Sequence, residues 1–319
     1  MALSTSLSNL SGAYGVGIAA VSMMSNFAVI LATDTCASIS SNVASITTMT
    51  GLEGAYETAA VLESAGITTA SGGKGFAVSS SVLTSVSVLT AFKVTVGLTT
   101  VDSNAPTVLA GLLVGVWFPF FFASIILFSV NRAAGSILTE ARKQLEGIVE
   151  PHSTRCVDVA VKRSLQEMIL PSLFGCMLPL ITGFLFGPLA LAGMLTGAIS
   201  TSMMINITLV NTGTILDGAM HYTEVDGDGR ASPKFKFCTI GRQLGTALSA
   251  VGPALNTLVK LMSIIALSIG PFMTSWGEWS QWYYGLIPAG LCIVGPVLVY
   301  LFIWKNVEEV TARREISEA

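Results

Sequence analysis

Charged side chains are scarce in this chain: Asp, Glu, Lys and Arg make up 11% of its 319 residues, where soluble domains carry roughly a quarter. With 52% hydrophobic residues and a mean hydropathy of +0.71, that scarcity excludes an ordinary soluble domain and leaves a polytopic helical membrane protein. Histidine is nearly missing, with only His152 and His221, and the five cysteines, Cys36, Cys156, Cys176, Cys238 and Cys292, form no Cys-x-x-Cys pair. Neither a zinc site nor a disulfide framework is expected. No basic stripe is present, which excludes nucleic acid as a partner. Residues 1–11 show neither the positive start of a signal peptide nor an arginine-rich targeting pattern. Asn9-Leu10-Ser11 forms a glycosylation sequon, which matters only in a secretory compartment.

What is abundant is apolar sequence in long runs. Seven stretches reach the roughly 20 residues that a bilayer crossing needs: 12–33, 75–98, 107–131, 164–186, 188–216, 238–272 and 282–304. Lys and Arg fall in alternate connections. Lys74, the six in 132–163, Arg230, Lys234 and Lys236, and Lys305, Arg313 and Arg314 all lie on one side, while 1–11, 99–106, 187 and 273–281 carry none. This asymmetry predicts the N-terminus out and the C-terminus in. Trp276, Trp279, Trp282, Tyr283 and Tyr284 read as an aromatic belt at the outer entry of the seventh span. Small residues crowd the first, fifth and sixth spans, which predicts that these pack in the middle of the bundle.

Between the spans the motifs are weak. The stretch 34–74 is rich in Ser and Thr and reads as a loop ending in SGGKG, a flexible turn rather than a phosphate loop. DGDGR at 226–230 lacks the spaced ligands of a calcium loop and reads as a solvated turn. Lys260, embedded in the sixth span, is costly in hydrocarbon and so is a functional-site candidate, expected to pair with a carbonyl or with a residue on a neighbouring span or subunit. Asp34 and Asp217, at span ends, are expected to be solvated or to cap helices.

Taken together, GAYGVGIAAVSMMSNFAVILATD, ITTASGGKGFAVSSSVLTS, RCVDVAVKRSLQEMILPSLFG, NTGTILDGAMHY and GPALNTLVKLMSIIAL resemble the membrane-integral pyrophosphatases, sixteen-helix pumps that hydrolyse pyrophosphate and move protons or sodium ions. The likeness runs from Gly12 to Phe272 and covers only the family's C-terminal six helices. It implies a helical domain over 1–274, with an additional transmembrane helix and charged tail over 275–319. Family chemistry needs carboxylates holding several magnesium ions on the pyrophosphate, lysines on its oxygens and paired aspartates on the attacking water.

Carried over residue by residue, the resemblance implies that Asp34, Asn42, Lys74, Asp217 and Lys260 keep family positions. Ser41, Gly241, Gly245 and Ser249 stand where it implies aspartates, Ile67 where it implies an asparagine, and Met220, His221 and Leu248 where it implies lysines. A metal cage is cooperative, so these losses predict a non-catalytic scaffold or subunit of a larger membrane complex, with no cofactor of its own. The alternative is the C-terminal half of a split ion-pumping pyrophosphatase, using magnesium together with a separate N-terminal half. A second alternative is a passive ion pathway around Lys260. The expected partners are the lipid bilayer, other membrane subunits and a second copy of the chain.

Overall fold

The computed structural model describes residues 12–51, 53–150, 152–225, 233–275, 283–299 and 301. Among them the order of α-helices is α1 (Ala13–Met24), α2 (Phe27–Thr50), α3 (Glu53–Val96), α4 (Pro106–Leu145), α5 (Ser153–Val225), α6 (Pro233–Ser275) and α7 (Leu286–Val299). Five helical runs are long and apolar enough to cross a membrane: Phe27–Thr50, Glu57–Val96, Pro106–Leu145, Ser153–Thr223 and Pro233–Met273. Helices satisfy every backbone donor and acceptor internally, as hydrocarbon requires. The all-α, multi-pass membrane architecture expected from composition is therefore what forms. The fourth and fifth predicted spans are the two arms of α5, which leaves helical geometry at Gly187 (φ 85, ψ 177). That backbone suits glycine alone, and Pro188 opens the second arm without an N–H to satisfy.

Two sequence expectations change. The stretch 34–74 is not a loop: α2 continues to Thr50, Gly51 ends it in the left-handed conformation (φ 68), and α3 starts at Glu53. Its hydroxyls return to carbonyls one turn back, as in Thr35 to Leu31 (2.8 Å), Thr48 to Ala44 (2.8 Å) and Thr68 to Ser64 (3.1 Å). Low hydropathy thus marks a polar helix rather than a break. SGGKG likewise lies inside α3. The first predicted span is interrupted, because the Ser25 hydroxyl bonds the Ser22 carbonyl at 2.7 Å and Asn26 departs from helix (φ −91, ψ 7). The 12 residues of α1 reach only about 18 Å. Of the seventh predicted span, α7 covers Leu286–Val299, and residues 282, 300 and 302–304 lie outside the described residues. Trp276, Trp279 and Trp282, the DGDGR turn, the sequon and the C-terminal tail lie outside the described residues.

The chain forms two compact units, Met1–Ala91 with Ile199–Lys260, and Phe92–Ala198 with Leu261–Ala319. In the second unit α4 and α5 cross at glycines. A Cβ on Gly111 would overlap the Ala190 carbonyl, one on Gly115 the Met194 carbonyl, and ones on Gly193 and Gly197 the carbonyls of Val108 and Leu112. Backbones in such contact exclude lipid and set the crossing. Leu191, Met194 and Leu195 are wholly buried beside it. Phe121 meets Phe174 edge to face at 5.4 Å, and buried Glu167 lies 3.6 Å from Arg132.

In the first unit a polar seam ties three helices. Asn206 Nδ2 on α5 donates to Asn256 Oδ1 on α6 at 2.7 Å and to the Gly252 carbonyl at 3.3 Å, while the Ser81 hydroxyl on α3 donates to the Asn256 carbonyl at 3.2 Å. Asn206 is 1% exposed. Asn206→Leu strands the Asn256 oxygen, and the expected loss is about 1–2 kcal/mol. A thermal-shift measurement in mild detergent reads it, against Thr208→Ala on the exposed side of α5 as a silent control.

Candidate functional site

A cavity of about 430 Å³ opens within the first unit, and its walls come from four helices. From α2 come Asp34, Ser38, Ser41 and Asn42, from α3 Ile67 and Lys74, from α5 Gly213, Thr214 and Asp217, and from α6 Arg242, Thr246 and Ser249. Helical period explains the convergence: steps of three, four or seven residues keep each set on one face of its helix. Because 34–74 is helical, Asp34 and Lys74 are brought to the same cleft as Asp217, although 183 positions separate the first from the last. Asp34 and Asp217 lie within helices, so neither is a cap.

Arg242 is the hub. Its Nε lies 2.7 Å from Asp217 Oδ1 and its Nη2 lies 3.3 Å from Glu63 Oε1. The Asp217 approach is short but poorly aligned, an ion pair rather than a directed hydrogen bond. Glu63 is 8% exposed. Its Oε1 also accepts the Ser41 hydroxyl at 2.9 Å and faces His221 Nε2 at 3.8 Å, too far for a hydrogen bond and attractive only when the imidazole is charged. Nη1 of Arg242 rests 3.6 Å from the Met220 sulfur. Lys74 is half-buried and Asp34 exposed, and neither has an ion pair among the described residues.

The structure thus gathers Asp34, Ser41, Asn42, Ile67, Lys74, Asp217 and Ser249 from the positions the resemblance singled out, with Met220 and His221 beside them through Arg242 and Glu63. Gly245 is buried against Gly213: a Cβ there would stand 3.0 Å from the Gly213 carbonyl. Gly241 faces Leu216 at 3.4 Å, and Leu248 is half-buried. Lys260 is not part of the cleft. It is eleven residues beyond Ser249 on α6, about 16 Å along the axis, half-buried, and its ammonium makes no ion pair or hydrogen bond among the described residues of this chain.

Glu63 and the partners of Arg242 are what sequence reasoning missed. The signal was available only with 34–74 read as helix, because Glu63, Ile67, Ala70 and Lys74 then fall on one face at steps of four, three and four.

The resemblance implies magnesium, and this wall does not fit it. Among the described residues no three carboxylate, imidazole or thiol groups converge as ligands. Asp217 and Glu63 are already paired with a guanidinium, and a Cβ at 245 would stand 3.0 Å from the Gly213 carbonyl, a tight fit that asks the helices to shift by a few tenths of an ångström.

Comparison with known proteins agrees with the motifs. Residues 1–269 match the family model described as Inorganic H+ pyrophosphatase. A K(+)-insensitive pyrophosphate-energized proton pump of Methanosarcina mazei is 32% identical over 279 residues, covering 83% of this chain and 41% of that protein. A putative K(+)-stimulated pyrophosphate-energized sodium pump of Bacteroides thetaiotaomicron is 33% identical, covering 83% and 42%. A K(+)-stimulated pyrophosphate-energized sodium pump of Thermotoga maritima is 30% identical, covering 80% and 38%. The chain spans about two fifths of the length of these relatives. Matched over more than four fifths of its length to that model and to pumps of this one kind, the chain belongs to the inorganic H+ pyrophosphatase family.

Proposed function

We propose that this chain is the C-terminal part of a pyrophosphate-energised ion pump and acts on pyrophosphate only together with an N-terminal part. The observation that carries the proposal is the cleft: Asp34, Asn42, Lys74 and Asp217, drawn from three helices, line one polar cavity. Lys74 supplies a cation for phosphate oxygens, while the other part supplies the carboxylates and the metal-holding wall that this chain lacks. Asn256 and Lys260 follow the cleft along α6 and belong to the ion path. An outward N-terminus and an inward C-terminus accompany this reading, from the Lys and Arg asymmetry.

The test is pyrophosphate-dependent phosphate release from membranes holding the chain with its co-purifying partners. Depleting the chain is expected to abolish it, and Lys74→Met to lower it roughly 100-fold. Release unchanged by both treatments rejects the proposal.

A second reading has its own observation, the pairing of Asp217 and Glu63 with Arg242 together with the tight packing at Gly245. On that reading the chain is a non-catalytic subunit of a larger membrane complex. It predicts a large co-purifying assembly with no pyrophosphate hydrolysis at any stage.

A further inference from the structure

We infer that Arg242 is a built-in cation standing in place of a divalent metal ion on this wall of the cleft. One guanidinium bridges carboxylates from two helices, Asp217 of α5 at 2.7 Å and Glu63 of α3 at 3.3 Å. Bridging of that kind is what a metal ion does in a carboxylate nest, and the planar fork of arginine is suited to it.

Burial makes the cation necessary. The Glu63 carboxylate is nearly out of solvent, and an ionised carboxylate there needs a positive partner. Arg242 supplies that partner at 3.3 Å with a charge that arginine keeps throughout, whereas His221 stands farther off at 3.8 Å.

Backbone packing makes the replacement consistent. At Gly245 the chain of α6 lies against Gly213 of α5, so an acidic side chain there would meet the Gly213 carbonyl at 3.0 Å from its Cβ alone. A side chain at 245 would therefore press the two helices apart by a few tenths of an ångström, and Arg242, one turn earlier on α6, reaches Asp217 and Glu63. The charges then nearly balance: Asp34, Asp217 and Glu63 against Lys74 and Arg242. This inference goes beyond the pump reading and holds whether or not an assembly containing the chain hydrolyses pyrophosphate.

The experiment is thermal unfolding of the purified full chain in mild detergent, in chelator and in millimolar magnesium or manganese. The wild type is expected to shift by less than about 1 °C between these conditions, since no vacant site is there to bind. R242A is expected to unfold roughly 5–10 °C lower in chelator and to regain at least half of that loss in either metal, through Asp217 and Glu63. R242K, which keeps the charge and loses the fork, is expected to fall between them and to stay insensitive to metal. A wild type stabilised by several degrees in magnesium overturns the inference, as does an R242A loss that metal leaves unchanged. If R242A yields no folded protein in chelator, the wild-type and R242K measurements decide: metal stabilisation of either one overturns it. Failure of the pump reading is read separately, in phosphate release.

Discussion

Replacing Glu63 by leucine is expected to destabilise the solubilised chain by about 2–4 kcal/mol, an apparent melting decrease of roughly 5–12 °C. The carboxylate accepts the Ser41 hydroxyl and holds one arm of Arg242, so its removal leaves the guanidinium with Asp217 as its one ion-pair partner among the described residues and the Ser41 hydroxyl without its acceptor. The expected size is held to the lower part of the range for broken buried pairs because the Arg242 side chain is 31% exposed and water relieves part of the cost. Coupling provides the sharper check. The double variant Glu63→Leu with Arg242→Met removes both charges and is expected to be more stable than Glu63→Leu alone, since an apolar pair of similar volume replaces the ion pair. A double variant that simply adds the two single losses would show that Glu63 and Arg242 do not act together.

The largest structural effect is expected at the α4 and α5 crossing. Gly115 has the Met194 carbonyl where its Cβ would be, so the obstacle is backbone and no rotamer change relieves it. Gly115→Ala should cost about 1–3 kcal/mol, and Gly115→Leu at least about 4 kcal/mol, enough to abolish a monodisperse peak on size exclusion. Gly135 on the same helix is the control. Nothing lies within 4 Å of a Cβ there, so Gly135→Ala should be neutral or slightly stabilising, by about 0.5–1 kcal/mol from helix propensity. Equal tolerance at Gly115 and Gly135 would show that the crossing is not in contact.

These two sites show where the sequence is informative and where it is silent. The long apolar runs identified the membrane helices because burial in lipid demands an unbroken apolar length, a property local in sequence. The small residues of the fifth span pointed to close packing, but Gly111 and Gly115, which meet it, carried no separate signal in a run of ordinary membrane residues. The stretch 34–74 was misread because Ser, Thr and Gly resemble loop punctuation when their hydroxyls are assumed to face water. In the folded chain they bond the turn behind them. Read as part of a loop, Glu63 shares no helix face with Ile67 and Lys74 and gives no site signal. Gly245 was legible as the loss of an aspartate, whereas its contact with Gly213 depends on how two helices distant in sequence approach, and periodicity does not encode that. Likewise nothing local in the sequence of α6 pairs Arg242 with Asp217 and Glu63, which lie on two other helices.

The account rests on the cleft being one wall of a pyrophosphate site that another part of the pump completes. The most direct measurement is phosphate release from pyrophosphate by the intact membrane assembly, comparing wild type with Lys74→Met at equal assembly yield. The account predicts hydrolysis in the wild-type assembly and a roughly 100-fold loss in the variant. An assembly that hydrolyses no pyrophosphate, or one that hydrolyses it equally well with methionine at position 74, contradicts it.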